Sequence, residues 1–137
     1  MATQVFINLG VKDLNRSIEF FTKLGYTFNA QFTNDKATCM VISDTIYVML
    51  LTEEFFKTFT TKPIVNAHQS IECSIALTCD SKEAVNEMVD KAVAVGATIP
   101  NPATDYGFMY QHSFDDLDGH HWEYFWMDPN GMPQQQA

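Results

Sequence analysis

The stretch FMYQHSFDDLDGHHWEYFWM, residues 108–127, consists of two aromatic-rich segments separated by the turn-forming residues Asp115 to Gly119. Aromatic side chains favour the pleated surface of a β-strand, and Asp and Gly favour tight turns. The stretch therefore predicts an antiparallel hairpin. Glu123 lies in its second arm among aromatic residues, where a carboxylate is costly to bury unless it has a partner or a function.

The centre of the turn predicts the register of this hairpin. If the turn centres between Leu117 and Asp118, residues whose numbers sum to about 235 face each other, and His112 opposes Glu123. The same face then carries Tyr110, Phe114, His121 and Phe125. A slip of one residue would move His112 to the other face, because side chains alternate along a strand.

The preceding chain predicts the same order of elements twice. Alternating apolar residues predict strands at 3–11 and 71–79, each followed by a helix with an apolar stripe. Asp13 and Asp80 are the predicted N-caps of these helices, and Gly25 and Gly96 their predicted ends. Further strands are predicted at 26–32, 37–42, 46–51 and 97–100, with a helical turn at 53–59.

This internal repeat predicts an α+β fold built from two paired βαβββ modules, at about residues 3–59 and 70–128. We expect a single domain over residues 1–128, in which a curled mixed sheet surrounds a cavity and the helices lie on the outer face. Residues 129–137, rich in Pro and Gln, are predicted to form a tail with few contacts.

The charge of the chain makes some classes of partner unfavourable. Seventeen acidic residues against eight basic ones give a formal net charge of −9, which disfavours nucleic acids and anionic membranes as partners. The three cysteines lack metal-binding spacing and are predicted to be reduced thiols. No signal peptide and no long apolar run are visible, so we expect a cytoplasmic protein.

Three segments carry a resemblance to a known family: LGVKDLNRSIEFFTKLGYTF (9–28), IALTCDSKEAVNEMVDKAVAVGATI (75–99) and FDDLDGHHWEY (114–124). With these motifs the chain resembles the vicinal oxygen chelate superfamily. Its members include glyoxalases, extradiol dioxygenases, and fosfomycin- and bleomycin-resistance proteins, and the similarity is closest to small bacterial glyoxalase-like proteins. The resemblance implies the two-module fold and a homodimer.

Metal-dependent members of this superfamily bind a divalent ion with one residue from each of four strands. The resemblance places these positions at Phe6, Leu50, Ser74 and Glu123. Only Glu123 is a strong ligand, so we expect neither a bound metal nor any other cofactor. A cluster of His112, His121 and Glu123 is an alternative metal site, because the predicted register places all three on one face.

The function predicted first is binding of a small aromatic or basic molecule without metal, by analogy with bleomycin-resistance proteins. The predicted ligand-binding residues are Phe6, Asn8, Leu50, Ser74, Tyr110, His112, His121, Glu123 and Phe125. The alternative is a lyase, isomerase or dioxygenase-type enzyme in which Glu123 and His112 act as an acid/base pair. Two further interpretations stay open: His112 only neutralises a buried Glu123, or the cavity is closed and the protein is an interaction module.

Overall fold

A computed structural model describes residues 2–131, and the chain divides into two compact units, Met1–Asn66 and Ala67–Ala137. Each unit contains one mixed four-stranded sheet and one long helix. The predicted α+β fold with two βαβββ modules is therefore confirmed. None of the helices in the described part of the chain is long and apolar enough to cross a bilayer.

The first unit has strand order β1-β4-β3-β2, with β1 parallel to β4 and the other pairs antiparallel. Its strands are β1 (Val5–Val11), β2 (Thr27–Asn29), β3 (Ala37–Val41) and β4 (Ile46–Thr52). Its helices are α1 (Leu14–Lys23) and the short α2 (Glu53–Phe56), which continues as a 3-10 turn. Leu14, Phe20 and Phe21 of α1 are buried, as the apolar stripe of this helix requires.

The second unit repeats this arrangement with strand order β5-β8-β7-β6, and β5 is parallel to β8. Its elements are β5 (Ser74–Thr78), α3 (Lys82–Ala94), β6 (Thr104–Asp105), β7 (Met109–Asp115) and β8 (His121–Met127). Helix α3 packs on β7 and β8 and buries Val85, Val89 and Ala92. The apolar core of this unit therefore lies between α3 and one face of the hairpin.

The two long helices begin at different kinds of cap. The Asp13 carboxylate accepts from the backbone N–H of Arg16 at 3.1 Å, as predicted. In the second unit, however, the Ser81 hydroxyl accepts from the N–H of Ala84 at 3.0 Å, so the prediction of Asp80 as the cap is wrong by one residue. Gly25 and Gly96 follow the two helices with φ of +106° and +113°, a conformation that favours glycine.

Several strands are shorter than the alternation of apolar residues suggested. The predicted strand 71–79 begins only at Ser74, and Ile71 is 69% exposed. The predicted strand 26–32 ends at Asn29, because the Asn29 side chain accepts from the N–H of Gln31 and starts a 3-10 turn. Instead of a strand at 97–100, there is a single bridge between Thr98 and Asp115.

The predicted tail has structure where it can be described. Residues 128–131 form a turn, in which Asp128 Oδ1 accepts from the backbone N–H of Asn130 at 2.8 Å. The backbone N–H of Asp128 also donates to the carbonyl of Phe108 at 2.8 Å. Residues 132–137 of the predicted tail lie outside the described residues.

The β7–β8 turn is organised by the buried carboxylate of Asp116. Its Oδ1 accepts from the backbone N–H groups of Asp118 and His120, each at 2.9 Å. Its Oδ2 accepts from the indole Nε1–H of Trp122 at 2.9 Å. At Gly119 (φ +89°) an added Cβ would lie 2.6 Å from the backbone N of His68, so only glycine fits this turn.

This turn sets a register different from the predicted one. Ser113 pairs with Glu123, and His112 pairs with Tyr124, so paired numbers sum to 236. The predicted pairing of His112 with Glu123 is therefore wrong by one residue. The sequence located the turn, but the hydrogen bonds of Asp116 decide where it centres.

We predict that Trp122→Phe lowers the free energy of unfolding by about 2–4 kcal/mol, because Oδ2 of the buried Asp116 loses the indole donor and a small cavity forms. Burial raises the pKa of Asp116, and the indole N–H opposes that rise. Loss of the indole therefore raises the folded-state pKa further, so stability is lost as pH rises and the deficit is smaller at acidic pH.

Urea denaturation at several pH values measures this difference. Trp126→Phe is the matched control, because Trp126 lies in the same strand but is only half-buried. Equal losses for the two variants, or a deficit independent of pH, would contradict the role assigned to the Trp122–Asp116 hydrogen bond.

Candidate functional site

The observed register separates the hairpin into an aromatic face and a polar face. The aromatic face carries Tyr110, His112, Phe114, Trp122, Tyr124 and Trp126. The face of Glu123 carries Gln111, Ser113, Asp115, His121 and Phe125, with Met109 and Met127 at its end. Of the residues predicted to surround Glu123, His121 and Phe125 therefore share its face, whereas Tyr110, Phe114 and His112 do not.

Glu123 is held from the neighbouring strand. The Ser74 hydroxyl on β5 donates to Glu123 Oε2 at 2.9 Å. His121 Nε2 lies 3.7 Å from the same oxygen. The Glu123 side chain is 30% exposed, so the carboxylate is fixed in position and is still accessible from solvent.

His121 is oriented by a second carboxylate. Asp115 lies directly across from His121 in the β7–β8 ladder, and its Oδ1 is 2.8 Å from His121 Nδ1. An ionised carboxylate can only accept, so Nδ1 carries a proton and the lone pair of a neutral ring is on Nε2. Asp115, His121, Glu123 and Ser74 thus form a continuous chain of polar contacts across three strands, which we call the polar row.

A groove of about 370 Å³ lies on this face of the second unit, within the usual range of about 300–1,000 Å³ for small-molecule sites. It is lined by Asn101, Pro102, Thr104, Gln111, His112, Ser113, His121 and Glu123. This lining is polar and contains none of Tyr110, Phe114 and Phe125, the aromatic residues that the predicted register placed around Glu123. Tyr110 lies on the other face, where its hydroxyl donates to Asn86 Oδ1 of α3 at 2.7 Å.

His112 lies on the opposite face of the hairpin from Glu123, contrary to the prediction. Strand alternation places its side chain on the face that packs against α3, although the residue also lines the groove. Its Nδ1 is buried without a hydrogen-bond partner in the described part of the chain. His112 therefore cannot form the predicted acid/base pair with Glu123, and the alternative cluster with His121 is separated by the sheet.

The ligand-binding residues predicted in the first unit do not all lie on one face of its sheet. Phe6 and Asn8 share a face of β1, and Phe6, which is 45% exposed, stacks on Tyr47 at 4.7 Å. Leu50 pairs with Leu9 on the opposite face and is fully buried. The prediction of Leu50 as a ligand-binding residue is therefore wrong, because it belongs to the core beneath α1.

The internal repeat identifies the residue that takes the place of Leu50. The two helix caps are 68 positions apart, and the same offset relates Asn8 to Ala76. Asn8 pairs with Met49, as Ala76 pairs with Glu123. Met49 is therefore the counterpart of Glu123 in the first unit.

The residues at the implied metal positions do not fit a divalent metal site. Phe6 offers no donor atom, and Met49 offers only a soft thioether, which suits neither Zn²⁺ nor Mg²⁺. Ser74 is a weak neutral ligand, and its hydroxyl already donates to Glu123. Among residues 2–131 there is no group of three or more His, Cys, Asp or Glu residues that could hold a metal ion.

Sequence reasoning missed Asp115, which was assigned only to the turn. A signal was present, because Asp115 and His121 flank the turn symmetrically and face each other when paired numbers sum to 236. Met49 was missed because a register error of one residue on β4 exchanges the two faces of the strand.

Comparisons with known proteins agree with this architecture. The family model described as Glyoxalase/Bleomycin resistance protein/Dioxygenase superfamily matches residues 3–124. Among solved structures, hypothetical protein SA1046 from S. aureus is 28% identical, with 91% of this chain and 94% of that chain covered and a TM-score of 0.77. No protein of curated function matches the chain.

Two more distant structures share the fold. A glyoxalase/bleomycin resistance protein/dioxygenase family enzyme from Burkholderia phytofirmans PsJN is 16% identical, with 92% and 99% of the two chains covered and a TM-score of 0.76. The fosfomycin resistance protein FosX from Listeria monocytogenes is 20% identical, with 92% and 93% covered and a TM-score of 0.66. At these identities the likeness is one of fold alone.

We predict that His112→Leu leaves the free energy of unfolding unchanged or raises it by about 1 kcal/mol, because it removes a buried nitrogen that has no partner. His121→Leu should lower it, because Asp115 loses the partner that its carboxylate contacts. Urea denaturation of both variants measures the difference. A loss above about 2 kcal/mol for His112→Leu would mean that His112 makes a stabilising polar contact.

Proposed function

The chain belongs to the Glyoxalase/Bleomycin resistance protein/Dioxygenase superfamily, and we propose that it binds a small basic molecule in the groove of the second unit without the divalent metal of that superfamily. The observation that carries this proposal is which groups lie beside the Glu123 carboxylate. Among residues 2–131, no lysine or arginine pairs with its carboxylate, which has only a hydroxyl and an imidazole beside it. An accessible carboxylate in a groove is a natural partner for a ligand cation.

The distribution of charge supports a basic ligand. Residues 67–137 contain two lysines against eleven carboxylates, whereas residues 1–66 contain six basic and six acidic residues. The whole formal charge of −9 therefore belongs to the unit that contains the groove. Such a field raises the local concentration of cations and speeds their association, with an effect that falls as salt screens it.

The first unit has a larger groove, but its lining gives less support for binding of a basic ligand. Its volume is about 700 Å³, and it is lined by Lys12, Asp35, Lys36, Thr52, Glu53, Glu54, Phe55 and Thr58. Its lining contains two lysines and three carboxylates, so it favours no single ligand charge. None of the residues singled out from the sequence lies there.

A proton-transfer enzyme is the second candidate function, and the Asp115–His121 contact favours it. A carboxylate that orients an imidazole is a common arrangement for a general base. In this alternative, a lyase or isomerase, His121 replaces the predicted His112 as the partner of Glu123. The superfamily's Lewis-acid chemistry has no place in it, because the donor set described above does not fit the ion.

We predict that Glu123→Gln weakens binding of basic fragments, such as benzylamine, at least about tenfold, because the charge is lost while the shape is kept. Titrations followed by NMR chemical shifts at low ionic strength measure the affinity. Glu87→Gln is the matched control, because Glu87 is exposed on α3 of the same unit. Equal affinities for the two variants, or no binding of any fragment, would refute the proposal.

Metal analysis tests the metal-free part of the proposal separately. Protein purified without chelator is expected to contain far less than one equivalent of Ni, Zn, Fe or Mn, because the donor set is too poor to retain one. One equivalent that disappears in Glu123→Ala would show that Glu123 is a metal ligand after all.

A further inference from the structure

The polar row presents two acceptors side by side, and their arrangement narrows the class of ligand. We infer that the groove recognises a cationic group with at least two N–H donors, a primary ammonium or an amidinium, which donates to both Glu123 Oε2 and His121 Nε2. Asp115 is a positioning residue in this recognition. The inference rests on the proposed function, because it assigns a ligand class to the same groove.

The spacing of the two acceptors supports bridging by one ligand group. His121 Nε2 and Glu123 Oε2 are 3.7 Å apart, which is too far for a hydrogen bond between them. A hydrogen bond from a ligand nitrogen spans about 2.7–3.2 Å, so a single ammonium nitrogen can reach both atoms. The two nitrogens of an amidinium can also do so.

The remaining polar contacts leave these two acceptors available. Ser74 donates to Glu123 Oε2 from β5, and a carboxylate oxygen accepts more than one hydrogen bond. Asp115 occupies the Nδ1 side of His121. Both His121 and Glu123 line the groove, whereas Asp115 does not, so Asp115 acts on a ligand only through the imidazole.

The tautomer of His121 is central to the inference. With Nδ1–H directed to Asp115, a neutral imidazole accepts at Nε2. A protonated imidazole has no lone pair and repels a cation. The charged groups that contact the ring are Asp115 of β7 and Glu123 of β8, while Ser74 of β5, its partner in the ladder, is uncharged. A neutral His121 held in this way offers Nε2 as a second acceptor beside Glu123.

A set of related probes separates hydrogen bonding from charge. Benzylamine and benzamidine carry N–H donors, whereas benzyltrimethylammonium carries the same charge with none. We predict that the first two bind at least about tenfold more tightly at about pH 8. NMR titration at low ionic strength measures all three affinities.

Two variants assign this preference to the polar row. His121→Phe should abolish the preference for N–H donors, while weak binding of all three cations through Glu123 continues. Asp115→Asn should weaken benzamidine but not benzyltrimethylammonium, because the amide can fix either tautomer of His121 and Nε2 then no longer always accepts. Asp90→Asn, on the exposed side of α3, is the matched control and should leave both probes unaffected.

The outcomes distinguish this inference from the proposed function. If the three probes bind equally to the wild-type protein, or His121→Phe retains the preference, the inference is wrong while Glu123-dependent binding stands. If no cation binds in a Glu123-dependent way, the proposed function fails as well. Thermal unfolding of each variant checks that it is folded. Asp115→Asn tests the role of His121 through a residue that does not line the groove.

Discussion

The buried carboxylate of Asp116 is the interaction on which the site in the second unit depends. It satisfies two backbone N–H groups of the β7–β8 turn and the indole of Trp122 with hydrogen bonds of 2.9 Å. Because burial raises its pKa, each of these donors offsets part of a real desolvation cost. Together they fix the centre of the turn, and the centre of the turn determines which side chains of both strands face the core.

That register separates most aromatic residues of the hairpin from its acidic residues. Aromatic residues pack together beneath α3, as in the stacked pair Phe114 and Tyr124, whose ring centroids are 5.7 Å apart. Acidic and hydrogen-bonding residues lie on the other face around Glu123. A slip of one residue would bury the carboxylates of Asp115 and Glu123 and expose the aromatic rings, at a large cost in free energy. The polar groove is thus a consequence of the same alternation that builds the core.

The two units show how one arrangement of strands can carry different chemistry. Phe6 and Met49 occupy in the first unit the places that Ser74 and Glu123 occupy in the second. The first unit is also neutral in formal charge, whereas the second contains the whole imbalance of the chain. At these places the first unit offers no strong ligand for a divalent ion, whereas the second unit has a fixed, accessible carboxylate beside an oriented imidazole. The proposed binding of an organic cation depends on this pair.

The sequence by itself determined the βαβββ repeat, the two long helices and the turn, because helix periodicity and positive-φ glycines are local properties. It also singled out Glu123 and the absence of a donor at Phe6. Only the tertiary structure decided that His121 rather than His112 lies beside Glu123, that Asp115 orients it, and that Met49 rather than Leu50 is the counterpart in the first unit. These facts depend on strand register, and register depends on hydrogen bonds and packing between residues of different strands. A pattern with a period of two residues cannot reveal them, since a one-residue error leaves the pattern intact and exchanges the faces.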